Sequence, residues 1–259
     1  METTLIFICL VAFFAAGLTL FSGFGLGTLL MPVLALFLPI EEAIAITAIV
    51  HFVNNLLKLI LLGRYADKDV VLKFGLPALL SAFLGAWVLG FLVDQASLVN
   101  YHLLNREFHI TPVKLTIAIL LSVFTMAELA SKAGTASLDQ KYLPIGGFMS
   151  GFFGGLSGHQ GALRSAFLIK SGLSKESFLG SGVAIACLVD FARIAVYGFS
   201  FPSLTTENHL VLLIAVTGSA LSGTWFGNQF AHKVTIQTIQ RIVSILVLGI
   251  AVGLGVGMI

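Results

Sequence analysis

The chain has 259 residues, of which 58% are hydrophobic and 10% are charged, and its formal net charge at pH 7 is +2. A soluble globular domain carries about 25% charged residues, so this composition, with a mean hydropathy of +1.02, excludes a soluble protein and predicts one that lives in lipid. The small net charge and the lack of a basic run exclude nucleic-acid binding.

Apolar segments follow one another along the whole chain. About 20 apolar residues cross a bilayer as a helix, and only Glu2 precedes the first segment, where a signal peptide would carry Lys or Arg. We therefore take that segment as a retained helix. Eight segments are predicted to be long helices, at residues 3–22, 43–63, 75–93, 113–130, 143–156, 177–199, 209–231 and 242–257.

Two further apolar segments, at residues 28–39 and 162–172, have only about a dozen residues each. They are too short for an ordinary span, and each follows a glycine-rich bend, which predicts broken or re-entrant helices. The two cysteines, Cys9 and Cys187, stand apart in apolar segments and fit neither a disulfide framework nor a metal site. The sequence predicts no cofactor and no metal.

One seven-residue motif indicates an internal duplication. The run from Ser81 to Trp87 returns as the run from Ser219 to Trp225, and these are the two tryptophans of the chain. We expect a first repeat at residues 1–130 and a second at 131–259, together forming a single membrane domain. Aligning the sequences of the two repeats pairs further residues of similar type: Gly27 with Gly161, Glu42 with Glu176, Asn55 with Asp190, Lys58 with Arg193, Gly63 with Gly198 and Lys114 with Arg241.

The distribution of Lys and Arg indicates that the repeats are inverted, because these residues collect in cytoplasmic loops. If each short segment crosses, or forms a re-entrant hairpin with the helix before it, only Arg106 and Lys114 face outward. This arrangement gives each repeat an odd number of crossings and places both termini in the periplasm of an inner-membrane protein. The residues that would then share the cytoplasmic side are Arg64, Lys68, Lys73, Lys132, Lys141, Lys170, Lys175, Lys233 and Arg241.

The two glycine-rich bends carry the most specific signal. The runs from Ser22 to Pro32 and from Gly151 to Gly161 resemble the paired glycine motifs of the sulfite exporter TauE/SafE (TSUP) family, over nearly the whole chain. In the first bend, Leu26 interrupts the run of three glycines that the family motif has. The second bend is longer and more polar than the family motif. The resemblance implies a secondary transporter of sulfite, an organosulfonate such as sulfoacetate, or a related small anion.

The physical chemistry of such bends also favours anion binding. Irregular backbone is tolerated at membrane depth only beside protein or a watery cavity, and the free N–H groups of a helix N-terminus attract anions. We expect the short helices to meet head to head near the midplane, at a site formed by Gly23, Gly25, Gly27 and Thr28 from the first bend and by Ser157, Gly158, His159, Gln160 and Gly161 from the second. Packing of small residues is the alternative explanation of the glycines.

Arg164 is the sharpest single candidate, because it lies one turn past Gly161 in the second short helix. A cation there gains nothing from the helix dipole and needs an anionic partner in the membrane. An arginine that snorkels to the interface is the alternative. We predict that Arg164 is the largest contributor to anion recognition.

A second polar face runs along the helix at 43–63. His51, Asn54, Asn55 and Lys58 share one side of it, and Asp190, Arg193 and Tyr197 recur in the matching helix. Asn55, Lys58 and Arg193 are candidate substrate contacts, with Lys58 and Arg193 as an outer pair at equivalent positions. Asp190 and Arg193 are also spaced to neutralise each other, and the sequence leaves both interpretations open.

A rhomboid-like intramembrane serine protease is the rival function. Gly155-Leu156-Ser157-Gly158 fits a G-x-S-G pattern, and His232 could supply the base. In the inverted topology His232 ends its helix at the cytoplasmic face, beyond reach of Ser157, so we predict no enzyme activity. The sequence leaves open which anion is moved, in which direction and with which coupling ion, and whether the protein forms a homo-oligomer.

Overall fold

A computed structural model describes residues 2–22, 26–103, 106–130, 140–200, 207–230 and 236–259 of the chain. All ten apolar segments form helices where the sequence predicts them. The helices are α1 (Glu2–Ser22), α2 (Leu26–Ala35), α3 (Ile40–Leu62), α4 (Lys68–Val70), α5 (Leu76–Val93), α6 (Pro112–Ala130), α7 (Leu143–Ser157), α8 (Gly161–Leu168), α9 (Lys175–Ser200), α10 (Glu207–Phe230) and α11 (Ile236–Gly255).

Four helical spans among these residues are long and apolar enough to cross a membrane: Ile40–Tyr65, Lys68–Val93, Lys175–Phe199 and His209–Gly227. Shorter apolar helices accompany them. Many large apolar side chains lie on the outside, Trp87 and Trp225 at 63% and 59% exposed among them, as expected where the solvent is lipid. The chain is a multi-pass helical membrane protein.

The second long span begins with a local change of helix type. Asp67 caps α4 by accepting a hydrogen bond at Oδ1 from the Val70 N–H, 3.0 Å away, and a π-helical turn, Val71–Gly75, leads into α5. Pro77 lies in the first turn of α5 and has no N–H for the preceding turn, which is a common reason for irregular helix hydrogen bonding. The Asp67 N–H also donates to Ser181 Oγ of α9 at 2.8 Å.

The short helices each fold back along the helix before them. Phe7 of α1 and Phe37, just past α2, are in edge contact with ring centroids 6.2 Å apart. A Cβ on Gly146, near the start of α7, would collide with the ring of Phe167 near the end of α8. Both pairs are therefore hairpins that return to the end of the bundle where they start. The sequence predicted a long helix at 143–156, whereas the 15 residues of α7 rise only about 22 Å, less than a bilayer's thickness.

One element lies outside the predicted all-helical class. Residues 94–112, which lie between the predicted helices at 75–93 and 113–130, contain an antiparallel hairpin of β1 (Val99–Leu103) and β2 (Arg106–Ile110). Tyr101 pairs with Phe108 across the two strands, with the rings stacked at 5.4 Å. The Tyr101 hydroxyl donates to the carbonyl of Val256 at 2.5 Å, so the hairpin is fixed to the end of α11.

Two ends of the bundle can be distinguished. At the end that carries the β-hairpin, His209 Nε2 at the start of α10 lies 3.1 Å from Glu42 Oε2 at the start of α3. A cavity of about 320 Å³ lies at the same end, between the α2–α3 connection, Lys114 and the end of α11. The starts of α7 and α9 and the ends of α3 and α8 lie at the opposite end.

Close backbone contacts fix how the helices pair. A Cβ on Gly85 of α5 would collide with the Phe152 carbonyl oxygen of α7, and a Cβ on Gly223 of α10 would collide with the Phe13 carbonyl oxygen of α1. Each glycine occupies the fifth position of the duplicated seven-residue motif. The motif is therefore a packing device that lets another helix approach at backbone distance. The central pair of α3 and α9 runs antiparallel and carries Lys58, Asp190 and Arg193, the buried charged residues of the described part of the chain.

Candidate functional site

The polar face that the sequence predicts on α3 is buried. His51, Asn54, Asn55 and Lys58 are all at most 6% exposed. Asn54 Oδ1 accepts a hydrogen bond of 2.7 Å from the Thr224 hydroxyl of α10, whereas the other three residues turn towards α8 and α9. A buried row of polar groups at membrane depth needs partners, and α9 provides them.

Asp190 of α9 is the centre of this network and is fully buried. Its Oδ1 accepts hydrogen bonds from Arg193 Nε at 3.0 Å and Nη2 at 2.8 Å, and from Gln160 Nε2 at 3.1 Å. Its Oδ2 lies 2.6 Å from His51 Nδ1 and accepts a longer bond of 3.4 Å from Asn55. One carboxylate thus joins α3, α9 and the second bend.

The two bends meet beside this network. Gly158 ends α7 in the left-handed conformation with φ of 83°, and its N–H donates to the Gly154 carbonyl at 2.9 Å. Gly27, near the start of α2, is so close that a Cβ on it would lie 3.7 Å from the Gly158 carbonyl oxygen and 3.6 Å from the methyl group of Thr47. We call Gly27, Thr47, Gly158 and Arg193 the bend junction.

Arg193 brings an unused donor to the bend junction. The residue is 1% exposed, and although Nε and Nη2 bind Asp190, its Nη1 has no hydrogen-bond partner among the described residues. This Nη1 lies 2.7 Å from the position that a Cβ on Gly158 would occupy. Thr47 Oγ1 is likewise buried without a partner there. Unpartnered buried donors are costly, so the junction favours an acceptor such as an oxyanion.

A second cationic group is linked to Asp190 through Gln160. Arg164 of α8 donates from Nη1 to Gln160 Oε1 at 3.0 Å, and Gln160 in turn donates to Asp190. The like charges of Arg164 and Lys58 lie close enough to repel each other. The hydrogen-bond chain therefore places Asp190 between Arg164 and Arg193, with Lys58 on the Arg164 side.

The polar residues of the second bend have mainly local partners. The Ser157 hydroxyl donates to the Phe153 carbonyl at 3.0 Å, and the Ser150 hydroxyl donates to the Gln160 carbonyl at 3.0 Å. The ring of His159 stacks on Phe124, and its Nδ1 lies 3.1 Å from the Ser157 carbonyl and 3.3 Å from the Ser157 hydroxyl. Ser157 and His159 therefore shape the bend, and His232, the partner proposed for Ser157 in a protease, lies outside the described residues.

The structure brings most of the predicted site residues into one buried region. Gly27, Gly158, Gln160, Arg164 and Arg193 are linked through the contacts above, and Asn55, Lys58 and Gly161 adjoin them. Thr28 is buried in the first turn of α2. Gly23 and Gly25 lie outside the described residues.

Sequence reasoning did not place three participants at the site. His51 and Asp190 were recognised as polar positions but not as contacts of the bends, and Thr47 was missed. Thr47 precedes His51 by one helical turn on the same face of α3, which is the signal that could have found it.

A comparison with protein-family models matches the chain to one family, described as sulfite exporter TauE/SafE, over residues 8–254. Neither the search of curated proteins nor the search of solved structures finds a match. The match spans nearly the whole chain and includes both bends and both polar faces, and it gives no support to the protease hypothesis. The chain belongs to the sulfite exporter TauE/SafE family.

Proposed function

We propose that this protein is a secondary transporter of a small oxyanion, most simply a sulfur oxyanion or an organosulfonate such as sulfite or sulfoacetate, with its binding site at the bend junction. The observation that carries the proposal is the unpartnered Nη1 of Arg193, buried beside Gly158 and the start of α2. A buried arginine donor without a partner among the described residues, close to the N-terminus of a helix, favours an anion.

The charges of the interior support the same proposal. Among the described residues linked by hydrogen bonds to Asp190, Arg193 and, through Gln160, Arg164 are cationic and Asp190 alone is anionic. With His51 counted as neutral, two positive charges against one negative charge leave an excess of one. Charges removed from water are costly unless they are paired, so a bound anion completes the electrostatics of the site.

The chemistry of the donors also favours an oxyanion over a halide. A guanidinium presents N–H groups in a planar fork that matches two oxygens of a sulfonate, sulfite or carboxylate. Arg193 offers the N–H groups of its Nη1 near the helix end at Gly27, and Arg164 adds a second guanidinium that is linked to Asp190 through Gln160. The family description names sulfite, which makes sulfite and its organic derivatives the first substrates to test.

Alternating access requires two halves that move about a shared site, and we assign them to residues 1–130 and 131–259 as inverted repeats. The support is reciprocal packing. Gly85 of α5 receives α7, and Gly223 of α10 receives α1 in the same way. The α3–α9 pair then lies on the axis that relates the halves, and the bend of each half faces the other.

The same assignment gives an orientation in the inner membrane, with the β-hairpin end in the periplasm. It puts Arg106 and Lys114 outside and Arg64, Lys68 and Lys73 inside, as the positive-inside rule requires. A cysteine at Lys68 should resist a membrane-impermeant maleimide in intact cells, and a cysteine at Met258 should react. Labelling of the first without the second would contradict the orientation.

The function is tested by reconstituting the purified protein in liposomes and measuring uptake of labelled sulfite, sulfoacetate, sulfate and acetate. We expect saturable uptake of at least one sulfur oxyanion or sulfonate, and competition among the anions that share its geometry. Empty liposomes and the Arg164→Ala protein are the controls, because sulfite in its uncharged form crosses bilayers unaided. Uptake no faster than in empty liposomes for every anion would overturn the proposal.

A further inference from the structure

The contact between His51 and Asp190 lies beside the bend junction and is not part of it as defined above. His51 Nδ1 lies 2.6 Å from Asp190 Oδ2, and the two side chains are 8% and 0% exposed. They belong to α3 and α9, which come from different halves of the chain. A buried pair of titratable groups that connects two helices at membrane depth is a functional candidate by default.

The position of the pair relates it to the anion. Asp190 Oδ1 holds two nitrogens of the Arg193 guanidinium, and the third, Nη1, faces the bend junction. The same Oδ1 accepts from Gln160, which accepts from Arg164. Asp190 and a bound anion therefore compete for the positive charge of the same arginines.

Because of this competition, protonation of the pair favours anion binding. Adding a proton to the pair raises the charge of the cluster by one and frees the guanidinium of Arg193 from a carboxylate, so an anion binds more tightly. By thermodynamic reciprocity the anion then strengthens proton binding by the same factor. Proton and anion consequently load together and leave together.

The pair also spans the interface that alternating access must loosen. Two of the hydrogen bonds to Asp190 come from α3, through His51 and Asn55. A neutral carboxyl group holds these donors less strongly than a carboxylate, so the loaded state is the one in which α3 and α9 separate most easily.

We propose that the His51–Asp190 pair is a proton-binding site that couples anion transport to proton movement in the same direction. This inference rests on the proposed function of the bend junction. The ionisable and polar groups that face the pair are Asn55 and Lys58 of α3, Gln160 and Arg164 at the second bend, and Cys187, Arg193 and Tyr197 of α9.

The experiment uses the full-length protein in liposomes that contain a pH-sensitive dye. Labelled sulfate and sulfoacetate serve as probes because their charge is constant near neutral pH, unlike that of sulfite. We expect anion entry to acidify the lumen, and a proton gradient directed into the lumen, with the outside acidic, to drive accumulation. Anion entry without acidification, or with alkalinisation, would overturn the coupling while leaving the proposed function intact. No entry of either probe or of sulfite would overturn both.

Variants then test the site itself. Asp190→Asn should lose proton movement and accumulation but retain exchange of external for internal anion, because the fully loaded carrier still moves. His51→Gln should weaken coupling in the same direction. Glu176→Gln, which removes an exposed carboxylate from the first turn of the same helix, is the matched control and should behave as the wild type. Proton-coupled accumulation by both Asp190→Asn and His51→Gln would overturn the assignment.

Discussion

The two short helices occupy corresponding places in the chain but have opposite contents. Nine of the ten residues of α2 are buried, and it carries no charge. In α8 only Gly161 and Leu168 are buried, and it carries Arg164. Equivalent elements have thus diverged: α2 supplies a helix end in an apolar wall, whereas α8 supplies charge that is tied through Gln160 to Asp190.

The largest expected effect comes from making α8 resemble α2 in charge. Arg164→Ala should nearly abolish anion transport, because the cluster loses a cation that the helix ends cannot replace. Arg164→Lys keeps the charge but loses the planar fork, and should slow transport by about tenfold to a hundredfold, which corresponds to ~1.5–3 kcal/mol.

Initial transport rate per reconstituted protein measures this effect. Arg64→Ala is the matched control, because Arg64 contacts the neighbouring Tyr65 hydroxyl near the surface, away from the network. Wild-type transport by Arg164→Ala would remove Arg164 from the account and leave α8 as a structural hairpin.

The next largest effect should distinguish Lys58 on α3 from Arg193 on α9. From sequence, Lys58→Ala and Arg193→Ala are predicted to act alike, but the structure gives them different surroundings. Arg193→Ala leaves Asp190 buried without its main counter-charge, which costs about 3–5 kcal/mol, whereas Lys58→Ala removes a repulsion with Arg164.

We therefore expect Arg193→Ala to lower both the thermal stability in detergent and the transport rate. Lys58→Ala should lower transport alone. Equal loss of stability in the two variants would contradict this prediction, because it would mean that Lys58 and Arg193 contribute equally to the stability of the fold.

A smaller effect on stability should distinguish glycine substitutions in the two bends. Gly158→Ala forces a left-handed conformation that costs an L-residue roughly 1–2 kcal/mol, and its Cβ would lie 2.7 Å from Arg193 Nη1. Gly27→Ala makes only ordinary contacts at 3.6 and 3.7 Å. Thermal unfolding should show a loss of stability for Gly158→Ala and little change for Gly27→Ala. The reverse order would contradict the geometry of the bend junction.

The last pair of substitutions should have the same effect in both halves. Gly85→Ala and Gly223→Ala each press a methyl group onto a carbonyl oxygen of the neighbouring helix, which costs about 1–3 kcal/mol. Gly218→Ala, on the same helix as Gly223 and with nothing within 4 Å, should be neutral or slightly stabilising. Unfolding midpoints of the three proteins give the comparison, and a difference between Gly85→Ala and Gly223→Ala would weaken the case for equivalent repeats.

The helices could be predicted because apolar length is a strong signal in lipid, and the polar face of α3 because its period is helical. The antiparallel strands at 99–110 could not, since their alternation is short and follows a long run of apolar helix. Individual residues of the site could be predicted from sequence, but not the contacts between them. Gly158 and Arg164 stand out in sequence, but the contact of Asp190 with His51 joins positions 139 residues apart and depends on tertiary packing.

The most direct test of the account is an experimental structure of the protein saturated with the anion that the transport panel identifies. We predict anion density beside Gly158 and the start of α2, within hydrogen-bond distance of Arg193 Nη1. Density confined to the membrane-exposed surface or to the cavity near Lys114, with the bend junction occupied by side chains alone, would contradict it.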